Sequence, residues 1–141
     1  MVTEAAIKDY LEEGREQEGG EEMIVVKRME FDAAHFLPGY PGKCADMHGH
    51  RFVVELGVKG RVGEDGMVID FAELKKFLDV EKNTFDHRVL NDIIPNPTAE
   101  NICLYLKKDF NIFDWGNVKL EFIQVWETGD SYAEWRSKDG G

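Results

Sequence analysis

The chain has 141 residues, 43% of them hydrophobic, which is enough for one domain with a core of its own. No stretch approaches the roughly 18 apolar residues that a membrane helix needs, and a formal net charge of −11 speaks against nucleic-acid or anionic-membrane partners. The two cysteines, Cys44 and Cys103, lie in different contexts and make no disulfide framework; with an N-terminus lacking the basic-then-apolar layout of a secretory signal, they point to the reducing cytoplasm.

Residues 1–22 read as an acidic N-terminal extension, helical or disordered, and residues 23–141 as the domain proper. The run Met23–His35 alternates as a strand does, with Met23, Val25, Met29, Phe31 and Ala33 on the same face as His35. A second alternating run puts His48, His50, Phe52, Val54, Leu56 and Val58 on one face. The loop between them holds Pro38, Gly39, Pro41, Gly42 and Cys44, and antiparallel pairing would bring His35 beside His48 and His50.

After a turn at Gly63–Gly66, Asp70 and Glu73 form a candidate capping box for a helix whose Phe71, Leu74, Phe77 and Leu78 face inward and which decays near Asn83. A proline-containing connection, Asn91–Pro97, leads to Thr98, which can cap a second helix with Ile102, Cys103, Leu106 and Phe110 as its buried stripe. Asn117–Thr128 reads as a strand, and Asp130–Arg136 as a shorter last one. Alternation places Val118, Leu120, Phe122 and Trp126 on one face and Ile123, Val125 and Glu127 on the other. With both faces apolar and only two helices to cover them, a partner subunit is expected.

Three histidines at this spacing are the ligand set of a catalytic zinc, with one position left for water or substrate. Cys44, in a loop among glycine, lysine and aspartate, reads either as a fourth ligand, which would close a structural site, or as a reactive thiolate beside the ion. Cys103, on a helix's apolar stripe, is core. Asp86–His87 reads as the end of a helix or as a carboxylate-oriented imidazole that moves protons; adjacent side chains need a bend in the backbone to couple. Glu127 continues an apolar face, where a carboxylate needs a reason.

The segments FDAAH (Phe31–His35), Cys44-x3-His48-Gly49-His50, GMVIDF (Gly66–Phe71), FDHRVLN (Phe85–Asn91), PTAEN (Pro97–Asn101) and VWET (Val125–Thr128) occur in this order. Together they resemble the 6-pyruvoyl-tetrahydropterin synthase family, which includes 6-carboxy-tetrahydropterin synthase of the 7-deazaguanine (queuosine) route. The resemblance implies an α+β tunnelling fold (T-fold), ββααββ, with two helices on one face of an antiparallel sheet. It also implies a trimer-based homo-oligomer, commonly a hexamer, whose sheets close into a β-barrel.

Carried over by position, the resemblance makes His35, His48 and His50 the zinc ligands and Cys44, Asp86 and His87 the catalytic residues. Glu127 would anchor the pterin, with Thr98 and Glu100 in the pocket. The implied substrate is 7,8-dihydroneopterin triphosphate, and the carboxy product is favoured over the pyruvoyl product of biopterin synthesis. Ala45, Asp46 and Met47 between Cys44 and His48 disfavour the aldolase-like variant with a glutamate near the cysteine. A non-enzyme reading, a structural zinc protein closed by Cys44, stands beside these.

Overall fold

The computed structural model describes residues 20–138; the expected acidic extension therefore lies almost wholly outside the described residues. The order is β1 (Glu22–His35), β2 (His48–Arg61), α1 (Phe71–Phe85), α2 (Ala99–Phe110), β3 (Lys119–Thr128) and β4 (Ser131–Arg136). The four strands form one antiparallel sheet in the order β1-β2-β3-β4, with α1 packed on β1 and α2 on β3 and β4. This is the ββααββ arrangement that the alternation and the two helical stripes predict.

The core lies between helices and sheet. Phe31, Phe52, Val54, Leu56 and Val58 from the sheet meet Leu74, Leu78, Phe85, Ile102, Leu106 and Phe110 from the helices. Phe31 stacks between Phe52 and Phe85, with ring centroids 5.1 and 5.2 Å away. Burial of such side chains stabilises by about 1.5–3 kcal/mol each, so the β1–β2 ribbon is firmly seated on the helices.

Four details differ from expectation. Phe71 is 51% exposed, because it is the first helical residue and the inward stripe starts at Leu74. Asp70 caps α1 by accepting from Ala72 N at 2.8 Å, while Glu73 pairs with Lys76, so no reciprocal capping box forms. The helix also runs on to Phe85, whose fully buried ring holds its last turn. In β3, a register shift opposite Gly57 and Val58 moves Leu120 to the helix-facing side with Ile123 and Val125, and sends Phe122 to the other. There the Phe122 ring lies directly over Gly57; a Cβ at that glycine would stand 2.2 Å from the ring. Gly57 is thus required by close approach.

Glu81 on α1 is 2% exposed, and its Oε2 has no hydrogen-bond partner among the described residues. Burial first, then a hydrogen bond and repulsion from Asp109 on α2, push its carboxyl up to about 8, so it is protonated at neutral pH. Native Glu81 keeps a proton that the unfolded chain releases above its ordinary value of 4.5. Its contribution to stability is therefore complete below that value and is lost as pH rises through about 8, at up to about 1.4 kcal/mol per pH unit. Urea midpoints between pH 5 and 8.5 are expected to fall in the wild type and to flatten in Glu81→Gln. Equal slopes for the two proteins would contradict this account.

Candidate metal centre

The β1–β2 register sets His35 opposite His48 and Ala33 opposite His50. All three histidines continue the apolar, helix-facing side of the ribbon at its end, where the strands part into the Phe36–Met47 loop. Their ring centroids lie 4.5 Å (His35–His48), 5.2 Å (His35–His50) and 4.8 Å (His48–His50) apart. Phe52 meets both His35 and His50 edge-on, at 5.4 and 5.5 Å, and gives the cluster an apolar floor.

The hydrogen bonds fix the ring nitrogens. His35, 1% exposed, has Nδ1 at 2.8 Å from Pro97 O, and His48 has Nδ1 at 2.7 Å from Asp46 O. A carbonyl only accepts, so each Nδ1 carries a hydrogen, and in the neutral ring the lone pair is on Nε2. His50 Nε2 sits 3.1 Å from Glu127 Oε1 but outside hydrogen-bond geometry. Burial pulls the His50 pKa down, with the Glu127 carboxylate opposing and the other two imidazoles adding to the fall, which favours the neutral ring that metal ligation requires.

The donor atoms of His35, His48, His50 and Glu127 all lie within 4.8 Å of one another. Buried His35 Nε2 and His50 Nε2 have no hydrogen-bond partner among the described residues. Such an unpaired polar atom costs about 1–3 kcal/mol, which a shared cation would offset. Imidazoles anchored by carbonyls on their far nitrogens are how metal ligands are usually oriented. The residues present therefore fit a divalent transition metal such as zinc.

Glu127 owes its place to the register of β3 on β2. Val125 faces Val54, and two residues further along the same face the carboxylate reaches the histidines. Alternation flagged Glu127 as an odd carboxylate but gave no sign of its neighbours, since that depends on pairing between distant strands.

Cys44 is half-buried in a short 3-10 turn, Lys43–Ala45, whose Cys44 O accepts from Leu37 N at 2.8 Å. It is not in the group of gathered donors, and Glu127 stands there instead. Cys103 is core, 2% exposed, with its thiol pushed up to about 11 by burial.

Asp86 and His87 form a second group with Asp32, a residue that sequence reasoning passed over. Asp86 Oδ1 accepts from Asp32 N at 2.9 Å, and His87 N donates to Asp32 O at 2.7 Å, which docks the end of α1 against the edge of β1. His87 has φ +57, the bend that adjacent side chains need in order to approach. Its Nε2 lies 3.6 Å from Asp86 Oδ2, and its ring is largely exposed. An open cavity of about 540 Å³ is lined by both His50 and His87, so the two groups border one space.

Thr98 is the N-cap of α2, its hydroxyl accepting from Asn101 N at 3.1 Å. Glu100 is exposed in the first turn of α2 and is not among the gathered donors.

A family model described as 6-pyruvoyl tetrahydropterin synthase matches residues 24–138. The chain belongs to that family. Its members are lyases, and this chain is an enzyme of the same kind. A protein of Archaeoglobus fulgidus assigned as a 6-carboxy-5,6,7,8-tetrahydropterin synthase is 41% identical over 116 residues, 82% of this chain and 97% of the relative. The 6-carboxy-5,6,7,8-tetrahydropterin synthase of Synechocystis is 38% identical, covering 81% of this chain and 93% of that one. The dihydroneopterin monophosphate aldolase of Pyrococcus furiosus is 39% identical, covering 78% and 94%. Among solved structures, the 6-pyruvoyl tetrahydropterin synthase of Caenorhabditis elegans superimposes with a TM-score of 0.76 at 24% identity, over 85% of this chain and 99% of that one. The T-fold is therefore shared. Among the described residues no helix is long and apolar enough to cross a membrane.

Proposed function

We propose that this enzyme is a zinc-dependent 6-carboxy-5,6,7,8-tetrahydropterin synthase of the 7-deazaguanine (queuosine) route, acting in the cytoplasm. It would convert 7,8-dihydroneopterin triphosphate and one water to 6-carboxy-5,6,7,8-tetrahydropterin, with acetaldehyde and triphosphate released. The observation that carries the reading is the convergence of three imidazoles, two of them anchored by carbonyls, and Glu127 at one end of the ribbon. Relatives bearing that enzyme's name match nearly end to end, which supports the choice of reaction.

His35, His48 and His50 would hold the zinc through nitrogen, and Glu127 would pair with the N–H edge of the pterin. Zinc, when bound, supplies a Lewis acid for the hydroxylated tail and lowers the cost of negative charge on its oxygens. Cys44 as thiolate would take a proton from carbon, and His87, turned by its positive φ and neighboured by Asp86, would return one. Charge-assisted pairing by Glu127 would fix the orientation of the ring, where much of the rate gain arises. Thr98 would serve the pocket through the chain path it caps, and Glu100 from the rim.

A trimer-based homo-oligomer, built as a hexamer, belongs to the same proposal. Ile24, Val26 and Tyr132 are exposed on the face away from the helices, and β4 forms one edge of the sheet. Phe122 and Trp126 argue less for a partner than the sequence alone suggests: Phe122 is covered by Arg136 at 4.9 Å, and Trp126 stacks on Tyr132 at 4.2 Å. Light scattering that finds only monomer at micromolar concentration would oppose this assembly.

The aldolase of Pyrococcus furiosus, whose 39% identity falls between the 41% and 38% of the two carboxy synthases, makes carbon–carbon cleavage of a monophosphate the second reading. The zinc-loaded enzyme should be given 7,8-dihydroneopterin triphosphate and, separately, the monophosphate, with products identified by mass spectrometry. The carboxy product and acetaldehyde from the triphosphate are expected. A retained three-carbon diketone tail would give the pyruvoyl reaction, and turnover of the monophosphate alone would give the aldolase.

A further inference from the structure

The segments FDHRVLN and PTAEN each close on an asparagine that the chemistry above leaves without a task. Asn91, from the first of them, reaches back to the residue that follows His35. Its Oδ1 accepts from Phe36 N at 3.0 Å, and its Nδ2 donates to Phe36 O at 2.8 Å and approaches Pro95 O at 3.4 Å. One side-chain amide thus continues the ladder where β1 ends. It ties β1 to the start of the Pro95–Thr98 connection in the same stroke. Asn101, from the second segment, donates through Nδ2 to Asn96 O at 2.8 Å, and Thr98 N donates to the same carbonyl at 2.9 Å.

Between these two clips stands Pro97, whose carbonyl receives the Nδ1 hydrogen of His35. Proline has no N–H, so no main-chain donor of its own can fix it in place. Pro97 is held through the residues before it: Asn101 clips Asn96, and Asn91 reaches Pro95 one residue earlier while holding Phe36 beside His35. Pro97 is itself buried, so its carbonyl has little recourse to water. The His35 ring, buried at 1% exposure, takes its tautomer and the heading of Nε2 from this single bond.

We infer that Asn91, seconded by Asn101, is the positioning residue of His35. It sets the Pro97 carbonyl against the imidazole, keeps the hydrogen on Nδ1, and leaves Nε2 free towards His48 and His50. The effect on metal rests on the reading that His35 is a ligand; the effect on the tautomer does not. Outer partners that orient a ligating histidine typically contribute about 10–100-fold to metal affinity.

The test compares full-length wild type, Asn91→Ala, Asn91→Asp, Asn101→Ala and Asp70→Ala. The last removes the N-cap of α1 and lowers the melting temperature without touching His35 or its partners. Zinc affinity is measured by chelator competition, ligand geometry by the visible spectrum of the cobalt form, and the His35 Nδ1 hydrogen by nitrogen-edited NMR of the metal-free protein. Asn91→Ala is expected to weaken zinc by about 10–100-fold, to change the cobalt spectrum, and to lose the protected Nδ1 hydrogen. Asn91→Asp, which keeps the acceptor and loses the donors, should fall between it and wild type, and serves if the alanine variant fails to fold. Asp70→Ala should lose stability alone. The inference is overturned if both Asn91 variants match Asp70→Ala in zinc affinity and keep the Nδ1 hydrogen. A wild type that binds no zinc but loses that hydrogen in Asn91→Ala would sink the metal reading and leave the positioning role standing.

Discussion

Cys44→Ala is expected to lower turnover by about 10²–10⁴-fold while zinc content and melting temperature stay at wild-type values. The range is that of a positioned acid or base. Two observations separate this from a ligand's behaviour. The sulfur is not among the donors that gather at the end of the ribbon, and a carboxylate, Glu127, occupies the fourth place in that group. Cys44 is half-buried on a short turn held by backbone bonds, Leu37 N donating to Cys44 O and Ala45 N to Gly42 O, so loss of the thiol leaves the turn's own hydrogen bonds intact. His87→Ala serves as the companion: its exposed ring carries no core contact, and turnover should fall with zinc retained. Rate, zinc content and melting temperature are to be read on one preparation of each variant. Zinc lost from Cys44→Ala, or near-normal turnover with zinc present, would end the proton-transfer role.

Much of this was legible because a strand's period is two. Once His35 closes one alternating run and His48 opens the next, antiparallel pairing leaves little freedom, and the two imidazoles do face each other. Thr98 as a cap and Cys103 as core were legible for similar local reasons. The errors sit where a local rule meets a tertiary one. A register shift in β3 reverses the alternation read for Leu120 and Phe122, and nothing local announces it except Gly57 on another strand. Phe71 is a large apolar residue at a helix start, and only the packing of Leu74 and Phe77 shows that the buried stripe begins one turn later. Asn91 and Asp32 act through main-chain groups some fifty residues away in sequence, contacts that carry no compositional mark. The approach of Glu127 to His50 belongs to the same class.

His48→Ala and His50→Ala are expected to abolish a stoichiometry of about one zinc per chain, and the three ligand positions should differ in what else they lose. His35 is buried and bonded to Pro97 O, so His35→Ala also opens a cavity and strands a buried carbonyl. An unsatisfied group of that kind costs about 1–3 kcal/mol, and the metal-free variant should melt below the metal-free wild type. His48 is bonded at an exposed position to Asp46 O, so His48→Ala should keep the apo melting temperature while losing the metal. A ligand that binds only the folded state at a thousand times its dissociation constant stabilises by about 4 kcal/mol. The rise in melting temperature on adding zinc to wild type should accordingly vanish in all three variants. Glu127→Gln divides the two roles open to that carboxylate. As a pterin anchor it can be replaced with zinc and the thermal shift retained and KM sharply raised; as a ligand its loss would weaken zinc directly. Full zinc by elemental analysis in both His48→Ala and His50→Ala would remove the ligand assignment on which the proposed chemistry stands.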